Sequence, residues 1–103
     1  MSTSIILQLE DVISLRERER PPGSYTAYLF NAGQDKILKK LAEEAGETII
    51  ASKNNSREEL IYEVSDLVYH LLVLLRWHGI PWADIEAELA RRHHPTTDQE
   101  ENA

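Results

Sequence analysis

Apolar residues recur along this chain at the three- and four-residue intervals of α-helices, with short breaks between the runs. Ile5, Leu9, Val12 and Ile13, followed by the charged run at 16–20, predict a helix over residues 3–20. Pro21-Pro22-Gly23 ends it. Ser24 suits the N-cap of a short helix to about Asn31, with Tyr25, Tyr28 and Leu29 on its apolar side. After Asn31-Ala32-Gly33, a third helix runs from about Gln34 to Lys53 and stops at Asn54-Asn55. Ser56 with Glu59 fits a capping box, so a fourth helix starts near Arg57, reaches about His78 and is closed by Gly79. Ile80-Pro81-Trp82 opens a last helix, with Ala83, Ile85, Ala87 and Leu89 as packing positions, fraying near His93-His94-Pro95. Residues 96–103 are polar and acidic and read as a disordered tail. No segment reads as a strand. The expectation is one all-α domain over residues 1–95, with the third and fourth helices paired as an antiparallel hairpin.

Within that hairpin, two acidic pairs have three-residue spacing: Glu44 with Glu47, and Glu63 with Asp66. Residues three apart on a helix are surface neighbours. Their angular positions decide what the spacing means. With Ile37 at zero on the third helix, Leu41, Thr48, Ala45 and Leu38 fall at about 20–100° and form the expected buried stripe. Glu44 lands at about 340°, bordering that stripe, with Glu47 at about 280° and Glu43 further out at about 240°. On the fourth helix, with Leu60 at zero, Glu63 lands at about 300°, beside Leu67 and Leu74. Glu59, Asp66 and His70 line the same flank. A carboxylate beside a buried stripe is costly unless it is paired, hydrogen-bonded or bound to a metal. Four carboxylates brought together would form an oxygen-rich site for a hard cation such as Mg²⁺. The competing reading is a salt-bridge network with Lys36, Lys40 and Arg76.

The fourth helix is apolar nearly all round, through Leu60, Ile61, Val64, Leu67, Val68, Leu71, Leu72 and Leu75. Such a helix is buried nearly all round. A homodimer or higher homo-oligomer, packing hairpin against hairpin as a four-helix bundle, would cover it. The alternative is that the first and last helices do so.

Composition narrows the chemistry. The 103 residues suffice for one small domain, and 42% apolar content supports a packed fold. There is no cysteine, so oxygen or imidazole must hold any metal. A formal net charge of −7 argues against general nucleic-acid binding. No apolar run approaches a membrane span, and the N-terminus lacks the pattern of a secretory signal. A cytoplasmic protein is the expectation.

Lys40-x-x-Glu43-Glu44-x-x-Glu47, then Glu63-x-x-Asp66, is similar to the signature of the all-α, MazG-like nucleotide pyrophosphohydrolases. Ser24-Tyr25-Thr26, Gly33, Lys36, residues 40–51 and the run from Glu63 through Tyr69-His70 more specifically resemble the phosphoribosyl-ATP pyrophosphohydrolase family. The resemblance spans roughly residues 5–92. It implies Mg²⁺-dependent conversion of phosphoribosyl-ATP to phosphoribosyl-AMP and pyrophosphate, the second step of histidine biosynthesis. Some members carry a fused cyclohydrolase domain with cysteine-bound zinc. This short, cysteine-free chain resembles the stand-alone form.

By the same resemblance, Glu44, Glu47, Glu63 and Asp66 would hold the metal, and Glu43 would orient the attacking water. Lys36 and Lys40 would contact phosphate oxygens, or else serve as helical ion-pair partners of the neighbouring glutamates. His70 would support a metal ligand or touch the substrate. Ser24 and Thr26 would bind phosphate or ribose, although N-capping alone accounts for Ser24. Tyr25 and Tyr28 are expected in the core rather than against a base. His93-His94 is read as a solvated helix end. Two other functions fit the acids: a house-cleaning hydrolase of nucleoside triphosphates, and a non-catalytic helical dimerisation module.

Overall fold

The computed structural model describes residues 4–93. The described residues are all-α. Among them are five helices, α1 (Ile5–Glu19), α2 (Tyr25–Ala32), α3 (Gln34–Lys53), α4 (Arg57–Trp77) and α5 (Trp82–Arg92). The expected tail at 96–103, together with His94, lies outside the described residues.

Local chemistry sets the helix ends. Ser4, Ser24 and Ser56 cap α1, α2 and α4, each accepting a backbone N–H three residues on, from Leu7, Ala27 and Glu59. The reciprocal half of the expected capping box differs, because the Glu59 carboxylate accepts from the Asn54 side chain at 3.5 Å. α4 ends in a Schellman motif: Gly79 N–H donates to the Arg76 carbonyl and Ile80 N–H to the Leu75 carbonyl. Gly79, at φ +69°, supplies the left-handed residue this motif needs. Gly33, at φ +103° and ψ −178°, is the single residue between α2 and α3, ending one helix and starting the other. An added Cβ there would meet nothing within 4 Å, so the backbone angle, not crowding, calls for glycine.

The core joins four helices through Ile13, Leu29, Phe30, Ile37, Leu72 and Val73. α3 and α4 form the long antiparallel hairpin, and α1 and α2 close one side of it. Trp77 stacks on Phe30, with centroids 6.5 Å apart and planes 10° from parallel. α5 contributes little to this core. None of its residues is buried, and Ala83, Ala87 and Leu89 are exposed, contrary to the packing expected of them. Trp82 anchors it instead, packing on the core while its backbone N–H donates to Glu10 Oε2 at 2.6 Å.

Two further expectations shift. The buried positions of α3 are Ile37, Glu44 and Ala51, so the stripe centres near 340° rather than 20–100°. Leu38, on the expected stripe, is 42% exposed. Tyr25 and Tyr28 are also exposed rather than in the core. On α4, Ile61, Val64 and Leu71 remain open to solvent. α1 and α5 therefore leave the apolar arc of the hairpin uncovered in the single chain.

Candidate metal centre

Glu44 occupies the middle of the buried stripe of α3, 5% accessible, between Ile37 and Ala51. One turn of helix earlier, Lys40 Nζ reaches Glu43 Oε1 at 3.2 Å and Glu44 Oε2 at 3.6 Å. The Glu43 contact, more than any other, raises the Lys40 pKa. Lys40 satisfies only one oxygen of Glu44. Glu44 Oε1 is sealed from solvent and has no hydrogen-bond partner.

The facing helix supplies the same defect. Glu63 Oε1 on α4 is likewise inaccessible and without a partner. Glu44, Glu63 and Asp66 each place a carboxylate oxygen within 4.8 Å of the others. Desolvation raises the Glu63 pKa, helped by a hydrogen bond with Glu47 and by the charges of Glu47, Glu44 and Asp66. Glu47 is thus a neighbour of Glu63 but stands outside the convergent trio, on the exposed side of α3. A salt-bridge network does not account for this site. Of its three expected cations, Lys40 pairs with Glu43 and Glu44, whereas Lys36 lies over the Tyr28 ring and Arg76 turns to Glu17 on α1 at 2.6 Å.

Unsatisfied buried carboxylate oxygens are rare in folded proteins because each forfeits its hydration. Oxygens from three carboxylates at this separation match the donor preference of a hard divalent cation. The donor set therefore fits Mg²⁺.

Histidine and tyrosine support the α4 side. His70 is 4% accessible. Its Nδ1 lies 2.7 Å from the backbone carbonyl of Asp66, which can only accept, so Nδ1 donates. In the neutral ring, Nε2 then accepts from the Tyr25 hydroxyl, 2.8 Å away. His70 therefore touches the main chain of Asp66 rather than a carboxylate. Burial raises the Tyr25 pKa, with further upward pressure from Glu44, Asp66 and Tyr69 against the lowering effect of Lys40. The importance of Tyr25 was hidden in the sequence, where an aromatic on the apolar side of a short helix reads as core.

The remaining candidates occupy different places. Thr26 is buried, and its hydroxyl hydrogen-bonds the Tyr69 hydroxyl, tying α2 to α4. Ser24 Oγ is engaged as the α2 cap. Lys36 Nζ sits 6.0 Å from the centroid of the Tyr28 ring. A cleft of about 360 Å³ between α1 and the α4–α5 turn, bordered by Glu10, Ile13, Arg76 and Pro81, includes none of the clustered carboxylates. Donor chemistry, not cavity size, locates the site.

The fold and the site define a class: an all-α hairpin protein with a carboxylate cluster between its two long helices. A family model described as phosphoribosyl-ATP pyrophosphohydrolase matches residues 6–93. A phosphoribosyl-ATP pyrophosphatase of Pelotomaculum thermopropionicum is 58% identical over 88 residues, covering 85% of this chain and 90% of that protein. One from Leptospira biflexa is 52% identical over 88 residues, covering 85% and 96%. The histidine biosynthesis bifunctional protein HisIE of Bacillus subtilis is 55% identical over 89 residues, covering 86% of this chain but 43% of that longer protein. The chain belongs to the phosphoribosyl-ATP pyrophosphohydrolase family.

Proposed function

We propose that this protein hydrolyses phosphoribosyl-ATP to phosphoribosyl-AMP and pyrophosphate, the second step of histidine biosynthesis. The observation that carries the chemistry is the pair of buried, partnerless oxygens of Glu44 and Glu63, converging with Asp66. The names of the relatives supply the substrate.

Glu44, Glu63 and Asp66 would hold Mg²⁺, with Glu47 joining from the exposed side of α3. When bound, such a cation supplies Lewis acidity, drawing charge from phosphate oxygens and lowering the pKa of water. The chain's own residues set the geometry for water to attack a phosphorus while pyrophosphate leaves in line. Lys40 and Lys36 bind phosphate oxygens as point charges. Glu43, held by Lys40 at the rim, orients the attacking water. His70 fixes the α4 backbone at Asp66. Ser24 caps α2, Thr26 ties that helix to α4 through Tyr69, and the segment they hold contacts the phosphate or ribose of the substrate. The open arc of Leu38, Ile61, Val64 and Leu71 is covered by a second copy, giving a homodimer built on a four-helix bundle. The cytoplasm is the proposed location; among the described residues, no helix is long and apolar enough to cross a membrane.

The test is pyrophosphate release from phosphoribosyl-ATP, run beside a panel of ordinary nucleoside triphosphates. Release from phosphoribosyl-ATP that EDTA abolishes and excess Mg²⁺ restores is the expected outcome. Faster turnover of the ordinary triphosphates would assign a house-cleaning role instead.

A further inference from the structure

The hydroxyl of Tyr25 holds His70, but its ring and that of Tyr28, both on α2, have no part in the chemistry described so far. Tyr25 is 46% exposed and Tyr28 49% exposed. They stand one turn apart on the same helix, with ring centroids 6.3 Å apart and planes tilted by 33°. Aromatic rings carry large apolar area, so two open neighbours form a ready contact surface. The Tyr25 ring is held in place: its hydroxyl is tied to buried His70, whose imidazole also meets it edge-on at 5.7 Å. Because His70 is itself tied to the carbonyl of Asp66, this surface borders the carboxylate cluster.

The second feature is charge. Lys36 Nζ sits over the Tyr28 ring at 6.0 Å, the outer range of a cation–π contact. The open ring of Tyr28 is therefore already paired with a positive group, on a molecule with a surplus of acids.

We infer that the Tyr25–Tyr28 surface receives the purine of the substrate and favours a purine that carries positive charge. This rests on the proposed substrate. Phosphoribosyl-ATP bears its extra ribose on adenine N1, and an N1-substituted adenine is largely protonated at neutral pH, whereas the adenine of ATP is uncharged. A cationic base stacked on tyrosine gains attraction that a neutral base lacks. The incoming base takes the place of the Lys36 ammonium over Tyr28, and Lys36 turns to the phosphates. Substrate and ordinary ATP are thereby told apart by the charge of the base, at a surface separate from the metal ligands.

The test compares binding of 1-methyl-AMP and AMP to the intact protein by calorimetry. Wild type is expected to prefer 1-methyl-AMP by about tenfold, in line with a partly desolvated cation–π contact. Tyr28→Phe keeps the preference, because a phenyl ring retains the π face, and Tyr28→Leu removes it. Equal binding of the two nucleotides by wild type overturns the inference, as does a preference that survives Tyr28→Leu. A change of sedimentation coefficient in Tyr28→Leu also overturns it, since the ring would then belong to an interface between copies. Hydrolysis of phosphoribosyl-ATP is measured in parallel. Hydrolysis without a preference defeats this inference alone, whereas no hydrolysis defeats the functional reading on which it rests.

Discussion

Glutamates in two parts of this molecule meet opposite fates. On α5, Glu88 lies between Arg91 and Arg92, with Arg91 Nη2 at 2.6 Å and Arg92 Nε at 2.8 Å. Those hydrogen bonds hold its pKa down at about 2. In the α3–α4 hairpin, Glu63 faces Glu47, Glu44 and Asp66, and its pKa is raised. Glu88 is a carboxylate whose neighbours are arranged for it. Glu63 is a carboxylate whose acidic neighbours worsen its position, and both it and Glu44 keep a buried oxygen without a hydrogen-bond partner. Ion pairing accounts for the first region. The second keeps two buried carboxylate oxygens without a hydrogen-bond partner, a donor set that fits a divalent cation.

The largest effect should separate neighbours on one helix stripe. Glu44→Gln is expected to cut pyrophosphate release by more than about 100-fold, since even outer partners of a metal ligand are worth about 10–100-fold. Its helical circular dichroism and melting temperature should hold. Ile37→Ala, seven residues earlier on the same buried face, should instead lose about 2–5 kcal/mol in denaturant unfolding. Activity near wild type in Glu44→Gln would remove the distinction between site and core.

Mg²⁺ itself comes next. A cation that binds only the folded protein at about 100 times its dissociation constant adds about 2.7 kcal/mol. For a domain of this size, that is a rise of roughly 10–20 °C in melting temperature. Asp66→Asn should lose most of the rise. An indifferent melting curve in wild type would favour a purely structural role for the acids.

A smaller effect follows from pH. A raised carboxyl pKa means that the folded protein binds the proton more readily than the unfolded chain, so this contribution to stability is present at low pH and is lost as pH rises through the shifted titration. For Glu63 the window opens at its ordinary value of 4.5 and extends upward. Without metal, Glu63→Gln should therefore melt above wild type at pH 7, and its advantage should shrink as pH falls toward that value. A lower melting temperature for the variant at neutral pH would mean that Glu63 has a favourable partner after all. The smallest effect belongs to Glu88→Gln. Glu88 contributes above its ordinary pKa and loses that contribution only as pH falls toward 2, and exposed pairs of this kind are weak. Its thermal melt at pH 7 should match wild type within error, and a clear drop would show that α5 depends on the pair.

The helix boundaries were legible because their signals are local. Pro21-Pro22-Gly23, Asn54-Asn55-Ser56 and Gly79-Ile80-Pro81 punctuate the chain whatever packs around them. The acidic pairs were legible as spacings on two joined helices. Which apolar side faces inward was not, because a helical wheel treats every leucine as buried. Leu38 and Ile61 are open in the chain, while the true stripe of α3 passes through a glutamate. The destination of Arg76 was equally hidden, since its partner Glu17 lies 59 residues away in sequence. Tyr25 read as core for the same reason: the histidine that holds its hydroxyl is 45 residues distant. Contacts set by tertiary packing leave no periodic trace.

Glu44, Glu63 and Asp66 are proposed to hold a divalent cation together. Crystals grown with Mn²⁺ in place of Mg²⁺, with diffraction recorded at the manganese absorption edge, test it most directly. An anomalous peak is expected between these three carboxylates, at the orphaned oxygens of Glu44 and Glu63. A map with no peak there, while manganese is bound elsewhere on the chain, would contradict it.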